Sequence, residues 1–367
     1  TFPITLTATN SVSAVMQTLT ITVNAAPTFT SANTATFTVG TAATFTVTTT
    51  GFPTTTIMQT GTLPPGMTFT DNGDGTATLT GTPTGTGGTF PLTLTASNGI
   101  GTDATQTLTI TVNAAPVFTG ATTATFSVGT AGSFTVTTTG FPAAATTRTG
   151  TLPPGVTFTD NGNGTATIAG TPTGTGGTFP ITLTATNSVS AVMQTLTITV
   201  NAAPTFTSPT TATFTAGTNG TFTITTAGNP AITAIMQGGA LPPGLTFTDN
   251  GNGTATIAGT PTGAGGTFPV TLTATNGIAP DGVQTLTLTV ATTPVFTSAA
   301  ATAFAAGQFG TFTITAAGFP APTFAFTAGT LPPGITLSPT GVLSGTTAAG
   351  AAGTYPITVT ATNAAGS

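Results

Sequence analysis

An all-β fold, a tandem array of seven-stranded two-sheet sandwiches, is what three observations in this sequence predict. A Leu-Pro-Pro-Gly step begins at Leu63, Leu152, Leu241 and Leu331, so the chain repeats itself every 88 to 90 residues. One stretch, TFPITLTATNSVSAVMQTLTITVNAAPTFT, opens the chain at Thr1 and returns word for word at Thr178. Between the markers, apolar and hydroxyl residues alternate in short runs broken by Gly, Pro and Asn, the pattern of half-buried strands, and helix signals are absent. Self-similarity at a fixed period marks an array of like modules. A unit of about 89 residues can bury its own core, so each repeat is expected to be a domain and not one rung of a solenoid.

The strands follow in order from the unit Ala25 to Asn113. The runs Pro27 to Thr30 and Thr36 to Val39 place Phe29, Phe37 and Val39 inward, and Thr44 to Thr48 puts Phe45 and Val47 on one face. Gly51, Phe52 and Pro53 turn the chain into Thr54 to Thr60, a Pro-bounded run that reads as an edge or a less regular strand. The step from Leu63 to Gly66 reverses direction into Met67 to Thr70. Asp71-Asn72-Gly73-Asp74-Gly75 then supplies a tight hairpin turn into Thr76 to Thr80. After a Gly-Thr-Pro-Thr-Gly loop, Phe90 to Ala96 alternates cleanly, and Thr107 to Val112 does the same with Leu108, Ile110 and Val112 inward. Thr suits the outer faces because it is β-branched and its hydroxyl can bond across strands. Phe recurs at matched positions, Phe45, Phe134, Phe222 and Phe312, and is expected in the core.

This spacing divides the chain into residues 1–24, holding the last two strands of an incomplete repeat, full repeats at 25–113, 114–201 and 202–290, and a repeat at 291–367 that lacks its last strand. The joints, such as Val112-Asn113-Ala114-Ala115-Pro116, are short and contain Pro, which predicts stiff connections. Thr1 falls inside a repeat, so the chain reads as a piece of something longer. The two ends also suggest a second reading, in which Val15 to Val23 of one protomer completes the open sandwich of another by strand addition. Against it, Thr1 to Asn10 duplicates Thr354 to Asn363, so the donated piece carries a redundant strand.

Leu-Pro-Pro-Gly before a strand, a Gly-containing turn, Gly-Thr-Pro, then Thr-Phe/Tyr-Pro with alternating Thr and a Thr-Asn end resembles the bacterial "putative Ig" repeat family. The nearest match is LPPGITLSPTGVLSGTTAAGAAGTYPITVTATNAAGS, Leu331 to Ser367. The resemblance implies immunoglobulin-like, cadherin-like sandwiches and a place in surface or secreted proteins. For function it implies only an extracellular structural or adhesive array, since one fold hosts many roles.

Composition narrows the chemistry. Charged residues make up 2% of the chain, against about 25% in typical domains, and Thr is roughly three residues in ten. There is no Cys, His, Glu or Lys, and Arg148 is the one basic residue. Thiolate zinc sites, cysteine nucleophiles and the usual general bases are therefore missing. A chain of net charge −5 with one Arg cannot neutralise a phosphate backbone, which excludes nucleic acid. No run reaches the apolar length of a membrane span. Asp71, Asp74, Asp103, Asp160, Asp249 and Asp281 read as solvated turn or loop residues. Calcium loops need several carboxylates and a downstream Glu, and the fourth repeat replaces the turn with Ser338-Pro339-Thr340-Gly341. Lectin platforms usually want exposed Trp or Tyr, and the lone Tyr355 sits where other repeats carry Phe. Asn163, Asn219 and Asn252 begin Asn-Gly-Thr sequons. No catalytic, cofactor-binding or metal-binding residue and no cofactor is expected, and the chain is not expected to be an enzyme.

Exposed sheet edges are normally protected by Lys or inward charge, and a surface with so little charge should associate or precipitate, so either glycan covers it or association is the function. The expected partner is the chain itself, packed laterally or head to tail into an extracellular filament, sheath or stalk, with a cell-surface glycan as the other partner left open. A passive spacer that carries an active domain elsewhere is the second expectation.

Overall fold

The computed structural model describes residues 1–367, and its regular elements are all strands. They form two compact units, Thr1–Pro172 with Thr178–Thr199, and Thr173–Gly177 with Val200–Ser367.

The first unit opens with a hairpin, β1 (Phe2–Thr9) and β2 (Ala14–Ile21), which pair only with each other. The first complete repeat follows with β3 (Ala25–Phe29), β4 (Thr34–Thr38), β5 (Ala43–Phe52), β6 (Thr56–Thr60), β7 (Met67–Asp71), β8 (Thr76–Gly81), β9 (Gly88–Ser97) and β10 (Ala104–Phe118). One sheet runs β3-β5-β8-β7, and the facing one runs β4-β10-β9-β6. Pairings are antiparallel except β4 with β10, which is parallel. The opening strand is thus split between the sheets, so the sandwich has eight strands, or seven when the split opening strand is counted once. Of the two readings of the Pro-bounded run, the structure takes the edge: β6 is a regular strand that closes its sheet.

Alternation places Val47, Ile57, Leu79, Leu92, Leu94, Leu108 and Ile110 in the core, all nearly without solvent contact. Phe45, expected in the core, is half-buried and packs against this cluster together with Phe29, Phe69 and Phe90. It lies opposite Leu79, and that smaller side chain takes the fully buried position. Phe222 and Phe312 sit the same way in their repeats.

The Leu-Pro-Pro-Gly step is a turn with a visible cause. The amide of Met67 donates to the Pro64 carbonyl at 3.1 Å, with Pro65 and a positive-φ Gly66 (φ 84°) between them. Pro followed by a left-handed Gly is what a type II turn requires. The same bond recurs from Val156, Leu245 and Ile335. At the next joint β10 passes through Asn113 to Pro116 without a break, pairing first with β9 and then with Gly132–Phe141 of the second repeat.

In the second unit, the third repeat follows this plan, with Thr211–Thr215 parallel to Gly282–Phe296. The fourth repeat is less complete. Phe309–Thr313, Val342–Thr346 and Ile335–Leu337 form one sheet, and Thr323–Gly329 pairs with Ile357–Thr362 in another. Residues 301–305, the counterpart of β4, are not a strand. In the first and third repeats that segment pairs in parallel with the last strand. No helix is long and apolar enough to cross a membrane.

Candidate interaction surfaces

The acidic turns are occupied by the chain's own backbone. Asp71 accepts from the Ile57 amide with Oδ2 (3.2 Å) and from the Gly73 amide with Oδ1 (3.2 Å). Asp160 and Asp249 hold the amides of Thr146 and Ile235 in the same way. These three carboxylates, expected to be merely solvated, therefore staple the strand before the turn to the neighbouring edge strand. The signal was their recurrence at one position in three repeats. No three carboxylates converge on a common point.

The second polar residue of the turn is Asp74 in the first repeat and Asn163 or Asn252 in the next two. Asp74 Oδ1 accepts from the Thr76 hydroxyl at 2.6 Å and its amide at 2.9 Å. Those bonds, the hydroxyl first, hold its carboxyl below the ordinary Asp value. The charged form is favoured in the fold, so this contribution is present at neutral pH and lost as pH falls through the lowered value. Asn163 and Asn252 make the same two contacts with Thr165 and Thr254. A carboxylate thus already fits this geometry. Asn163→Asp and Asn252→Asp are expected to change unfolding free energy by less than about 0.5 kcal/mol, as surface changes usually do. A larger shift in the urea midpoint would contradict that equivalence.

Arg148 stands where the third repeat has Gln237, and the two side chains make equivalent bonds. Each donates to the carbonyl two residues on, at Gly150 and Gly239. Tyr355 is half-buried, and its hydroxyl donates to the Ala351 carbonyl. Asp103 and Asp281 are exposed loop residues, and Asn219 is exposed as well.

A further recurrent residue went unassigned by sequence reasoning. Asn98 Nδ2 donates to the carbonyls of Ala25 (2.8 Å) and Pro53 (2.9 Å), while Oδ1 accepts from the Ile100 amide. Asn187, Asn276 and Asn363 form the same three-way clamp in the other repeats. The Thr-Asn or Ser-Asn end of each penultimate strand was the visible signal. Its chemistry appears only when three distant segments are brought together. In the N-terminal hairpin, Asn10 keeps the acceptor half alone, bonding the amides of Val12 and Ser13.

The outer faces are tiled with hydroxyls. Thr70, Thr78 and Thr46 form one row across three strands, and Thr68, Thr80 and Thr44 the next. Thr159-Thr167-Thr135 and Thr248-Thr256-Thr223 repeat the first of these rows. Thr44 and Thr80 hydroxyls meet at 3.0 Å. Edge strand β6 carries no charged side chain, and Met58 on it is 70% exposed.

In the hairpin, Leu19, Ile21 and Val23 are 43%, 42% and 62% exposed, yet the identical Leu196, Ile198 and Val200 are at most 1% exposed. In the fourth repeat a cleft of about 890 Å³ opens beside Phe304 and Val359, which are half-buried, while Ile314 and Leu343 on its wall stay buried in the repeat's own core.

The sequence model of the family described as Putative Ig domain matches residues 26–113, 203–291 and 293–367, well over half of the chain. No curated protein matches it in sequence. Among solved structures, a three-domain titin fragment carrying E-to-A changes is similar at 16% identity and TM-score 0.47, covering 72% of this chain and 98% of the fragment. An I-band fragment from titin gives 15% and 0.46, over 74% and 99%. Sidekick-1 immunoglobulin domains 1–4 give 14% and 0.36, over 88% and 91%.

Proposed function

Because the chain belongs to the Putative Ig domain family and is built of tandem Ig-like sandwiches, we propose that it is an extracellular structural protein whose repeats self-associate into a filament, sheath or stalk. The observation that carries this reading is the sparsely charged, hydroxyl-tiled surface with bare sheet edges. Lys at edges and mixed surface charge are what keep sheet proteins apart, and this chain has neither. Some of the outward hydroxyls bond one another or a carbonyl within the repeat, as Thr44 does with Thr80 and Thr68 with the Thr80 carbonyl, and the rows still present a polar, nearly chargeless face that a second face of the same kind can meet. A catalytic role finds no support, because the Asp side chains at the turns are engaged with backbone and no base or nucleophile activator accompanies them.

A second reading, a passive spacer, is favoured by the joints. Gly87 has no room for a side chain: a Cβ there would lie 2.5 Å from the Val112 carbonyl and 2.9 Å from Phe141 Cβ. Such packing, with β10 unbroken across the joint, supports restricted movement between the first two repeats. Electron microscopy and light scattering on unmodified protein decide between the readings. The expected result is mass that grows with concentration and regular multi-chain assemblies with an axial repeat commensurate with the modules. Particles that stay monomeric at high concentration would defeat self-association and leave the spacer.

A further inference from the structure

We propose that the free edge of β7 is the surface through which the repeats associate, and that its occupant is the same edge of a second copy of this chain, paired antiparallel about Phe69. The inference rests on the self-association reading and names the strand by which chains join side by side.

Two edge strands meet at one flank of the first repeat, β6 from one sheet and β7 from the other. The chain treats them differently. An outward amide of β6 is taken by the turn after β7, and this recurs in every repeat. Asp71, Asp160 and Asp249 hold the amides of Ile57, Thr146 and Ile235. In the fourth repeat, where that turn has no Asp, the Pro339 carbonyl holds the amide of Phe324, the counterpart of Ile57, at 2.9 Å. Two different acceptors serving one amide mark a guarded edge, the kind of device that keeps a sheet from recruiting strands.

β7 has no such guard. The Asn72 amide donates to the Thr76 carbonyl, so in the alternation of an antiparallel pair Thr70 and Thr68 also face β8, while Phe69 and Asp71 turn their amides away from it. Neither of those amides has a partner within the chain. No Lys stands on the strand, and its one carboxylate is committed to the amides of Ile57 and Gly73. The third repeat presents the same edge at Phe247 and Asp249, beside the bond from Asn250 to Thr254.

The edge is complementary to itself. Centred on Phe69, antiparallel pairing lets each Phe69 amide meet the partner's Phe69 carbonyl, and each Asp71 amide the partner's Met67 carbonyl. The same register sets Thr68 opposite the partner's Thr70. Thr44, Thr80 and Thr68 form one row of a single repeat, and Thr70, Thr78 and Thr46 the next, so the hydroxyl rows run across the seam from one copy into the other. Phe69 is half-buried against its own core, and its ring gains an aromatic neighbour on the inner face. Cross-strand Thr and aromatic pairs are both stabilising. Thr-Phe-Thr-Asp recurs at 68–71, 157–160 and 246–249, so one chain carries this edge several times, and repetition strengthens a contact that is small at each repeat. The pairing is isologous and joins chains laterally.

The test uses the full chain with Thr68→Lys/Thr70→Lys and the matching changes in the other repeats. These exposed positions set like charges face to face only in the paired edge, so light scattering should show assembly lost while the urea midpoint stays near the parent's. A chain with Glu at the same positions should also remain monomeric alone, and mixing it with the Lys chain should restore assembly. Thr44→Lys/Thr46→Lys with its matches, in the same rows but on the inner strand β5, should leave assembly intact. In the parent, hydrogen exchange should slow across residues 67–71 as assemblies grow, and not across 56–60. If the edge variants assemble as the parent does, this proposal falls while association through the Thr faces stands. Failure of the Lys and Glu chains to rescue each other also overturns it. A parent that stays monomeric at high concentration defeats both readings.

Discussion

Gly244→Ala is expected to unfold the third repeat. The residue ends the Leu-Pro-Pro-Gly step with φ 88°, where a left-handed L-residue costs about 1–2 kcal/mol. The larger obstacle is space: a Cβ there would stand 2.1 Å from the Thr260 carbonyl oxygen, which belongs to backbone. Its partner Gly259 is equally closed, since its own Cβ would lie 2.1 Å from the Gly244 carbonyl. Two glycines thus let adjacent strands approach where neither tolerates a side chain. Together the effects exceed about 4 kcal/mol, in the range that only special positions reach, and domains hold only about 5–15 kcal/mol in total. Hydrogen exchange read by mass spectrometry should show loss of protection across residues 245–275. Gly251→Ala is the control. It has similar φ (71°) but nothing within 4 Å, so it should pay only backbone strain of about 1 kcal/mol. Equal protection in the two variants would show that the close approach is not what the motif secures.

Asn276→Ala should cost about 3 kcal/mol. The side chain is 5% exposed, donates to the carbonyls of Ala202 (2.9 Å) and Pro230 (2.8 Å), and accepts from the Ile278 amide (3.0 Å). Removing it strands three backbone groups, each worth about 1–3 kcal/mol when buried without a partner, with some relief from water at the rim. Asn276→Asp should be at least as damaging, because it turns the double donor into an acceptor facing two carbonyls. The effect is read from the urea unfolding midpoint with hydrogen exchange to assign it to residues 202–290. A loss under about 1 kcal/mol would mean that the three segments hold together without the clamp.

Much of this architecture was legible because it is local. The Pro-Pro-Gly turn, the alternating Leu92-Leu94 and Leu108-Ile110 positions, and the outward Thr rows follow from backbone preference and a period of two. The parts that were not legible are those in which one side chain meets a distant backbone. Asp71 looks like any turn residue until the Ile57 amide is placed 3.2 Å away. Asn98 looks like a strand end until Ala25 and Pro53 are brought to its amide. The inward side of Phe45 was evident, but its depth was not, because depth depends on which neighbour fills the centre.

The clearest separation between the two levels lies in thirty residues that occur twice. Their sequence by itself determines a hairpin with alternating apolar and hydroxyl faces, and both copies form it: Phe2 to Thr9 with Ala14 to Ile21, and Gly177–Thr186 with Ala191–Phe206. Everything beyond that differs. In the second copy the apolar face is buried and the last strand continues unbroken to Phe206, while in the first it is exposed and the strand stops at Ile21. Residues 301–305 make the same point from the other side, remaining irregular where Thr211–Thr215 is a strand. A strand's conformation is encoded in its residues, but its burial and its second ladder belong to the surface across from it, and only the tertiary structure decides whether that surface is there.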